Sequence, residues 1–116
     1  MTLTAFYEAI GANYSSVLQR MGGMERMVDK FVRKFPNDTA AKELFESYEK
    51  KDYETAFRMA HTLKGVCMNL GFDKLCESSS ELTEALRGHV ADNADALLEN
   101  VRRDYEKIVE LLKELD

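Results

Sequence analysis

The sequence predicts an all-α protein, arranged as an antiparallel up-down four-helix bundle with additional short N-terminal helices. Apolar residues recur at spacings of three and four within segments that are separated by short breaks. The chain also has one proline, no tryptophan and little clustering of β-branched residues. With 116 residues, of which 45% are hydrophobic, residues 1–116 are predicted to form one domain around a single core.

Two short helices are expected at the N-terminus. Thr4 can cap the first, which Gly11 ends, and Asn13 can cap the second. Helices of this length are not stable alone, so we expect them to lie across one end of the bundle. Gly22 and Gly23 then interrupt the chain.

The next two helices are separated by a proline. The first has an apolar stripe formed by Met24, Met27, Val28, Phe31, Val32 and Phe35. Pro36 is expected to stop it, because proline disfavours a helical conformation in the preceding residue. Asn37 or Asp38 then caps a helix whose inner face is Ala41, Leu44, Phe45 and Tyr48.

Three longer helices complete the predicted bundle. Asp52 caps a helix that Gly71 ends as a left-handed residue. Asp73 opens the next helix, which ends at residues 87–88, and residues 88–91 form a loop in which His89 is an ordinary surface residue. Asp92 caps the last helix. The inner positions of the last two helices are Leu75, Cys76, Ser79, Leu82 and Leu86, then Ala94, Leu97, Leu98, Val101, Tyr105, Ile108, Leu112 and Leu115.

One histidine is predicted to lie on the outer face of the helix that begins near Asp52. At about 100° per residue, His61 lies roughly 160° from Leu63. The apolar stripe of this helix is Ala56, Met59, Ala60, Leu63, Val66, Cys67 and Leu70. His61 should therefore be exposed to solvent.

A lone histidine on a helix is most often a solvated surface residue, but the neighbours of His61 indicate more. Lys64 can reach an anionic group on the imidazole. Gly65 costs about 1 kcal/mol relative to alanine inside a helix, so a compensating role is expected. Phe57 and Met68 are apolar on a face that otherwise points to water. A nucleophile, a cation, open space and an apolar rim together fit a carrier of phosphate.

Composition argues against several other classes. A net charge of −5 disfavours a nucleic-acid-binding protein. No apolar run reaches the ~20 residues that span a bilayer, and no secretory signal is visible, so we expect a cytoplasmic protein without membrane insertion. Cys67 and Cys76 are expected to stay reduced, and no metal site is predicted because paired ligand spacing is missing. The expected state is a monomer.

A short motif around His61 resembles the signature of histidine-containing phosphotransfer (HPt) domains, the histidine carriers of multistep two-component phosphorelays. The matching residues are Ala60, His61, Leu63, Lys64, Gly65 and Gly71. Residues 18–23 also resemble the turn before the second helix of that family. The likeness extends from about Tyr14 to the C-terminus.

This resemblance implies a function in signal transduction. The partners would be response-regulator receiver domains, with a hybrid histidine kinase as a further candidate. His61 would be the phosphoacceptor, Lys64 would neutralise phosphate charge, and Gly65 would give steric clearance. The partner-binding rim would comprise Phe57, Arg58, Met68 and Asn69, with Arg20 as a more distant candidate.

The protein is expected to be a phosphocarrier and not an enzyme. Its sequence has no phosphate-binding loop, glycine-rich nucleotide lid or Asp-Phe-Gly segment, so nothing in it would drive ATP cleavage. No cofactor is expected, and the receiver would bring its own magnesium. The alternatives are a catalytically silent interaction module that uses the same exposed face, and a bundle that binds haem or a metal through inward-facing ligands.

Overall fold

All regular elements of the described chain are helical. The computed structural model describes residues 1–89, 91 and 93–116, and no residue in these ranges lies in a strand. The helices are α1 (Leu3–Ala9), α2 (Tyr14–Arg20), α3 (Glu25–Lys34), α4 (Ala40–Glu49), α5 (Tyr53–Leu70), α6 (Asp73–Ala85) and α7 (Asp95–Leu112), and a 3-10 turn spans Phe35–Asn37. The predicted all-α class is therefore confirmed.

Helices α4 to α7 form the bundle. Helix α5 packs between α4 and α6, and α6 packs on α7. Side chains join α4 to α7 and close the bundle: the ring of Phe45 lies 6.0 Å from that of Tyr105, and the Arg102 guanidinium lies 4.3 Å from the Phe45 centroid. The hydroxyl of Tyr48 also donates to Asp95. Short connections make successive helices antiparallel, as predicted.

The N-terminal helices cover the end of the bundle where α5 turns into α6. The Tyr7 hydroxyl donates a buried hydrogen bond of 2.6 Å to the carbonyl oxygen of Leu70. The rings of Phe6 and Phe35 pack edge-on against Phe72, with centroids 5.9 and 5.0 Å away. Because the first two helices are short, they were expected to lie across one end of the bundle, and they do. Of the described helices, none combines the length and apolar character needed to cross a membrane.

Several predicted helix ends are confirmed. The side chain of Asn13 accepts from the backbone N–H of Ser16 at 3.2 Å, and that of Asp52 accepts from Thr55 at 3.2 Å. Hydrogen bonds from Thr55 lower the pKa of the Asp52 carboxyl. Gly71 follows α5 in the left-handed region, with φ of 72°. Both ends of the histidine-bearing helix therefore lie where the sequence predicts.

Two predicted helix caps in the N-terminal half are wrong. The cap of α1 is Thr2, whose extended backbone lets its side chain accept from the N–H of Ala5 at 3.1 Å, so Thr4 lies inside the helix. Helix α3 does end at Lys34, just before Phe35 and Pro36, as predicted, and Pro36 lies in the 3-10 turn that follows, where its missing N–H is not needed. Thr39 occupies the cap position of α4, although Asp38 accepts from the N–H of Ala40 at 2.9 Å.

The C-terminal half differs from prediction in part. Helix α6 begins at Asp73, as predicted, with Phe72 in the cap position. Helix α6 ends at Ala85, before the expected residues 87–88. The predicted cap Asp92 lies outside the described residues, and α7 begins at Asp95 and stops at Leu112, short of Leu115. Cys76, placed on the core stripe by its spacing, is only half-buried.

Candidate functional site

Helix α5 has one buried face and one exposed face. The buried residues are Ala56, Ala60, Leu63, Cys67 and Leu70. His61 lies on the opposite side and is exposed to solvent. The helical periodicity predicted this placement, because it puts His61 almost opposite the apolar stripe. An exposed imidazole has a nitrogen lone pair accessible to a partner.

Space next to His61 is open. Gly65 lies on the next turn of α5 and is exposed, and a Cβ atom built on it would meet nothing within 4 Å. Residues four apart on a helix are surface neighbours. A second molecule can therefore approach the imidazole closely over Gly65.

Lys64 lies towards the α6 side of the same face and is half-buried. Its charge reaches α6: the pKa of Glu84 is lowered, first by hydrogen bonding from Arg87 and also by the cations of Arg87 and Lys64. Among the described carboxylates, none forms an ion pair with Lys64 within 4 Å. The ammonium group is therefore available to an anion that arrives at His61.

Phe57 is not the open apolar residue that the sequence suggested. Its ring is half-buried beneath two side chains from the segment after α6. The guanidinium carbon of Arg87 lies 5.5 Å from the ring centroid, and the His89 ring lies 5.5 Å away at an interplanar angle of 59°. His89 is exposed, as expected of a surface residue, but its ring also packs against Phe57, which was not expected. The antiparallel pairing of α5 with α6 was the available signal, since it brings the C-terminal end of α6 beside the start of α5.

On the opposite flank, α5 borders a cleft that the sequence analysis missed. Met68 is 51% exposed, and Asn69 is also exposed. The cleft has a volume of about 610 Å³ and lies between α5 and the N-terminal elements. It is lined by Arg20, Met21, Phe31, Lys34, Phe35, Asp38, Val66, Asn69 and Leu70.

Arg58 is exposed and lies along the surface of α5. Its guanidinium donates to the Thr55 hydroxyl at 3.3 Å, and the Thr62 hydroxyl donates to the Arg58 carbonyl oxygen at 2.9 Å. Arg58 is one turn before His61, so its charge lies on the same side of the helix. The structure thus brings all seven predicted site residues together on or beside the exposed face of α5.

Among the residues that the structure describes, no group of three or more His, Cys, Asp and Glu side chains could hold a metal ion. Cys67 and Cys76 are both free thiols, and burial raises the pKa of the Cys67 thiol. The chemistry available on the face is that of an imidazole with neighbouring cations.

The described chain is thus a helical bundle with an exposed imidazole on the long helix α5. A family model described as Hpt domain matches residues 26–116, which include all of α4 to α7. The chain belongs to the Hpt family, whose members carry phosphoryl groups in phosphorelays and interact with receiver domains. Neither the curated proteins nor the solved structures that were compared gave a match.

The match confirms the family that the motif predicted. It begins at Arg26, so it does not include the part of the likeness that was expected to start near Tyr14. The roles of individual residues stay predictions, and they are developed below.

Proposed function

We propose that this protein is a phosphorelay carrier that accepts a phosphoryl group on His61 from the aspartate of one receiver domain and passes it to another. The observation that carries this proposal is the exposed imidazole beside the open space at Gly65. Membership of the Hpt family supports it.

The chemistry needs little from the carrier. Neutral imidazole is available near physiological pH because its unperturbed pKa is about 6.5. Its nitrogen lone pair forms an N–P bond while the P–O bond to the receiver aspartate breaks and the carboxylate leaves. Transfer to the second receiver reverses these changes. Phosphoryl transfer depends mainly on in-line positioning and charge neutralisation, and the receiver would supply the magnesium.

The neighbours of His61 take roles that suit this reaction. Lys64 neutralises phosphate charge through a charge-assisted contact. Gly65 lets the backbone and phosphate of the partner approach without a Cβ in the way. Met68 and Asn69 contact the partner on one side, and Phe57 and Arg58 on the other. The resulting interface is small and transient, as a carrier that exchanges partners requires.

Direct labelling tests the proposal. Incubated with a phosphorylated receiver, the protein should gain an acid-labile, base-stable phosphate, and His61→Gln should gain none. His89→Gln is the matched control, because it removes the other of the two histidines and should still be labelled. Label that persists in His61→Gln would refute the assignment.

The same assay distinguishes the carrier from the rival function. A silent interaction module would bind its partner through the exposed face of α5 without exchanging phosphate. Binding of a receiver by the wild-type protein, with no label gained from any phosphorylated receiver, would favour this rival. The accessible imidazole at the centre of the face favours the carrier.

A further inference from the structure

We propose that Arg87 is a recognition residue, which binds a carboxylate on the surface of the partner receiver that docks over His61. Arg87 acts from a cluster that we call the Arg87 flank: Phe57, Glu84, Arg87 and His89. This inference rests on the proposed function, since it assigns the partner chemistry of the same site.

The guanidinium of Arg87 is held in a defined orientation. Its Nε and Nη2 atoms donate to the two carboxylate oxygens of Glu84 at 3.0 and 2.6 Å. Its central carbon lies 5.5 Å from the centroid of the Phe57 ring, where cation and ring attract each other. A side chain held in this way loses less conformational freedom when a partner binds.

The Arg87 flank lies immediately beside the phosphoacceptor. Phe57 is one helical turn before His61, and side chains four apart on a helix have Cβ atoms about 5–6 Å apart. The side chains of Arg87 and Glu84 are 62% and 64% exposed, so the cation is accessible from solvent. A protein that covers His61 therefore meets Arg87 at the edge of its contact area.

The chemistry of this edge selects an acidic partner. Arginine presents a planar set of donors that matches carboxylate groups, and its present partner, Glu84, is itself a carboxylate. A carboxylate on the receiver can replace or share this contact. Lys64 and Arg58 add positive charge on either side of His61, so three cations face one carboxylate, Glu84, along this edge of a chain whose net charge is −5.

The expected effect is on partner capture and not on phosphate stability. In Arg87→Ala, kcat/KM for transfer from a phosphorylated receiver should fall about threefold at low salt, because exposed charge pairs contribute modestly to association. The change should be in KM, with kcat and the lifetime of the phosphohistidine unchanged. Added salt should reduce the difference from wild type, since it screens exposed charges.

Lys113→Ala is the matched control. Lys113 pairs with Glu110 at the same three-residue spacing as Arg87 with Glu84, and its exposure is 67%. It lies just after the C-terminal end of α7, a helix that packs on α6. This variant removes the same charge and should leave kcat/KM unchanged.

Charge reversal and a conservative variant complete the test. Arg87→Glu should lower kcat/KM by about tenfold, because like charges at an interface repel. Arg87→Lys should recover part of the loss, which guards against a loss of folding in the other variants. An Arg87→Ala variant that behaves like Lys113→Ala, or one that changes only the phosphohistidine lifetime, would overturn the inference. A wild-type protein that gains no phosphate would instead overturn the proposed function.

Discussion

Gly65 and Gly71 belong to one motif, six residues apart, yet they lie in opposite environments. Gly65 is in the middle of α5, where an added Cβ would meet nothing within 4 Å. Gly71 follows the last turn, with φ of +72°, and an added Cβ would lie 2.2 Å from Cγ2 of Val17. The first glycine leaves the outer surface open, and the second lets two helices meet.

This difference shows that the motif combines positions of two kinds. Gly71 is required by backbone geometry and by the close approach of α2, so any side chain there affects folding. Neither backbone geometry nor packing requires glycine at position 65, so no structural contact offsets the cost of glycine inside this helix. The functional reason for glycine that we propose therefore concerns Gly65 and not Gly71.

The largest effect is expected at Gly71, and it should be on stability. Gly71→Ala combines a left-handed conformation with a clash against Val17, so it should lower the free energy of unfolding by about 2–5 kcal/mol. Chemical denaturation measures this loss. Gly11→Ala is the control, because Gly11 has φ of +69° but nothing within 4 Å of an added Cβ, and it should lose only about 1–2 kcal/mol. Equal losses in the two variants would show that the contact with Val17 is unimportant.

The second effect is expected at Gly65, and it should be on transfer. Gly65→Glu should slow phosphotransfer by about tenfold or more, because the added side chain obstructs the approach of the partner to His61. A tenfold loss corresponds to an increase of about 1.4 kcal/mol in the activation free energy. The unfolding temperature of this variant should equal or exceed that of wild type, because glycine is a poor helix former.

Gly65→Gln separates size from charge in this experiment. If steric clearance is what matters, the glutamine variant should slow transfer about as much as the glutamate variant. Should Gly65→Glu instead unfold at a lower temperature, Gly65 would be a packing residue and the contrast with Gly71 would disappear.

The smallest effect is expected at Lys64, which adjoins Gly65. Lys64→Ala should shorten the lifetime of the phosphohistidine or slow transfer by about two- to fivefold, as the loss of one partly exposed charge contact would. The decay of labelled protein over time measures it. Lys113→Ala serves again as the control for a lost charge, and an unchanged lifetime and transfer rate in Lys64→Ala would remove this lysine from the site.

The parts of the fold that depend on local pattern were predictable. The spacing of Ala56, Ala60 and Leu63 fixes which side of α5 is buried, and thereby places His61 outside. Asn13 and Asp52 were identified as caps because their short polar side chains reach the first free N–H groups of a helix. Such signals lie within a few residues of the structure that they determine.

Long-range contacts were not predictable in the same way. Arg87 and His89 pack over the ring of Phe57, which lies about thirty positions earlier in the chain, and no local spacing predicts these contacts. The cleft beside Asn69 is formed by three separate parts of the chain. Asp104 is 7% exposed on the inner side of α7, where the apolar pattern gave no reason to expect a carboxylate. Each of these depends on how helices pack and not on how one helix forms.

The hydrogen bond from Tyr7 to the Leu70 carbonyl has a consequence for where this domain can be cut. The family match begins at Arg26, but α1 and α2 supply the rings and the methyl group that cover Phe72 and Gly71. A chain trimmed to the matched region would leave that apolar end in water and a carbonyl oxygen without its donor. The packed unit of this structure therefore extends beyond the residues that the family model matches.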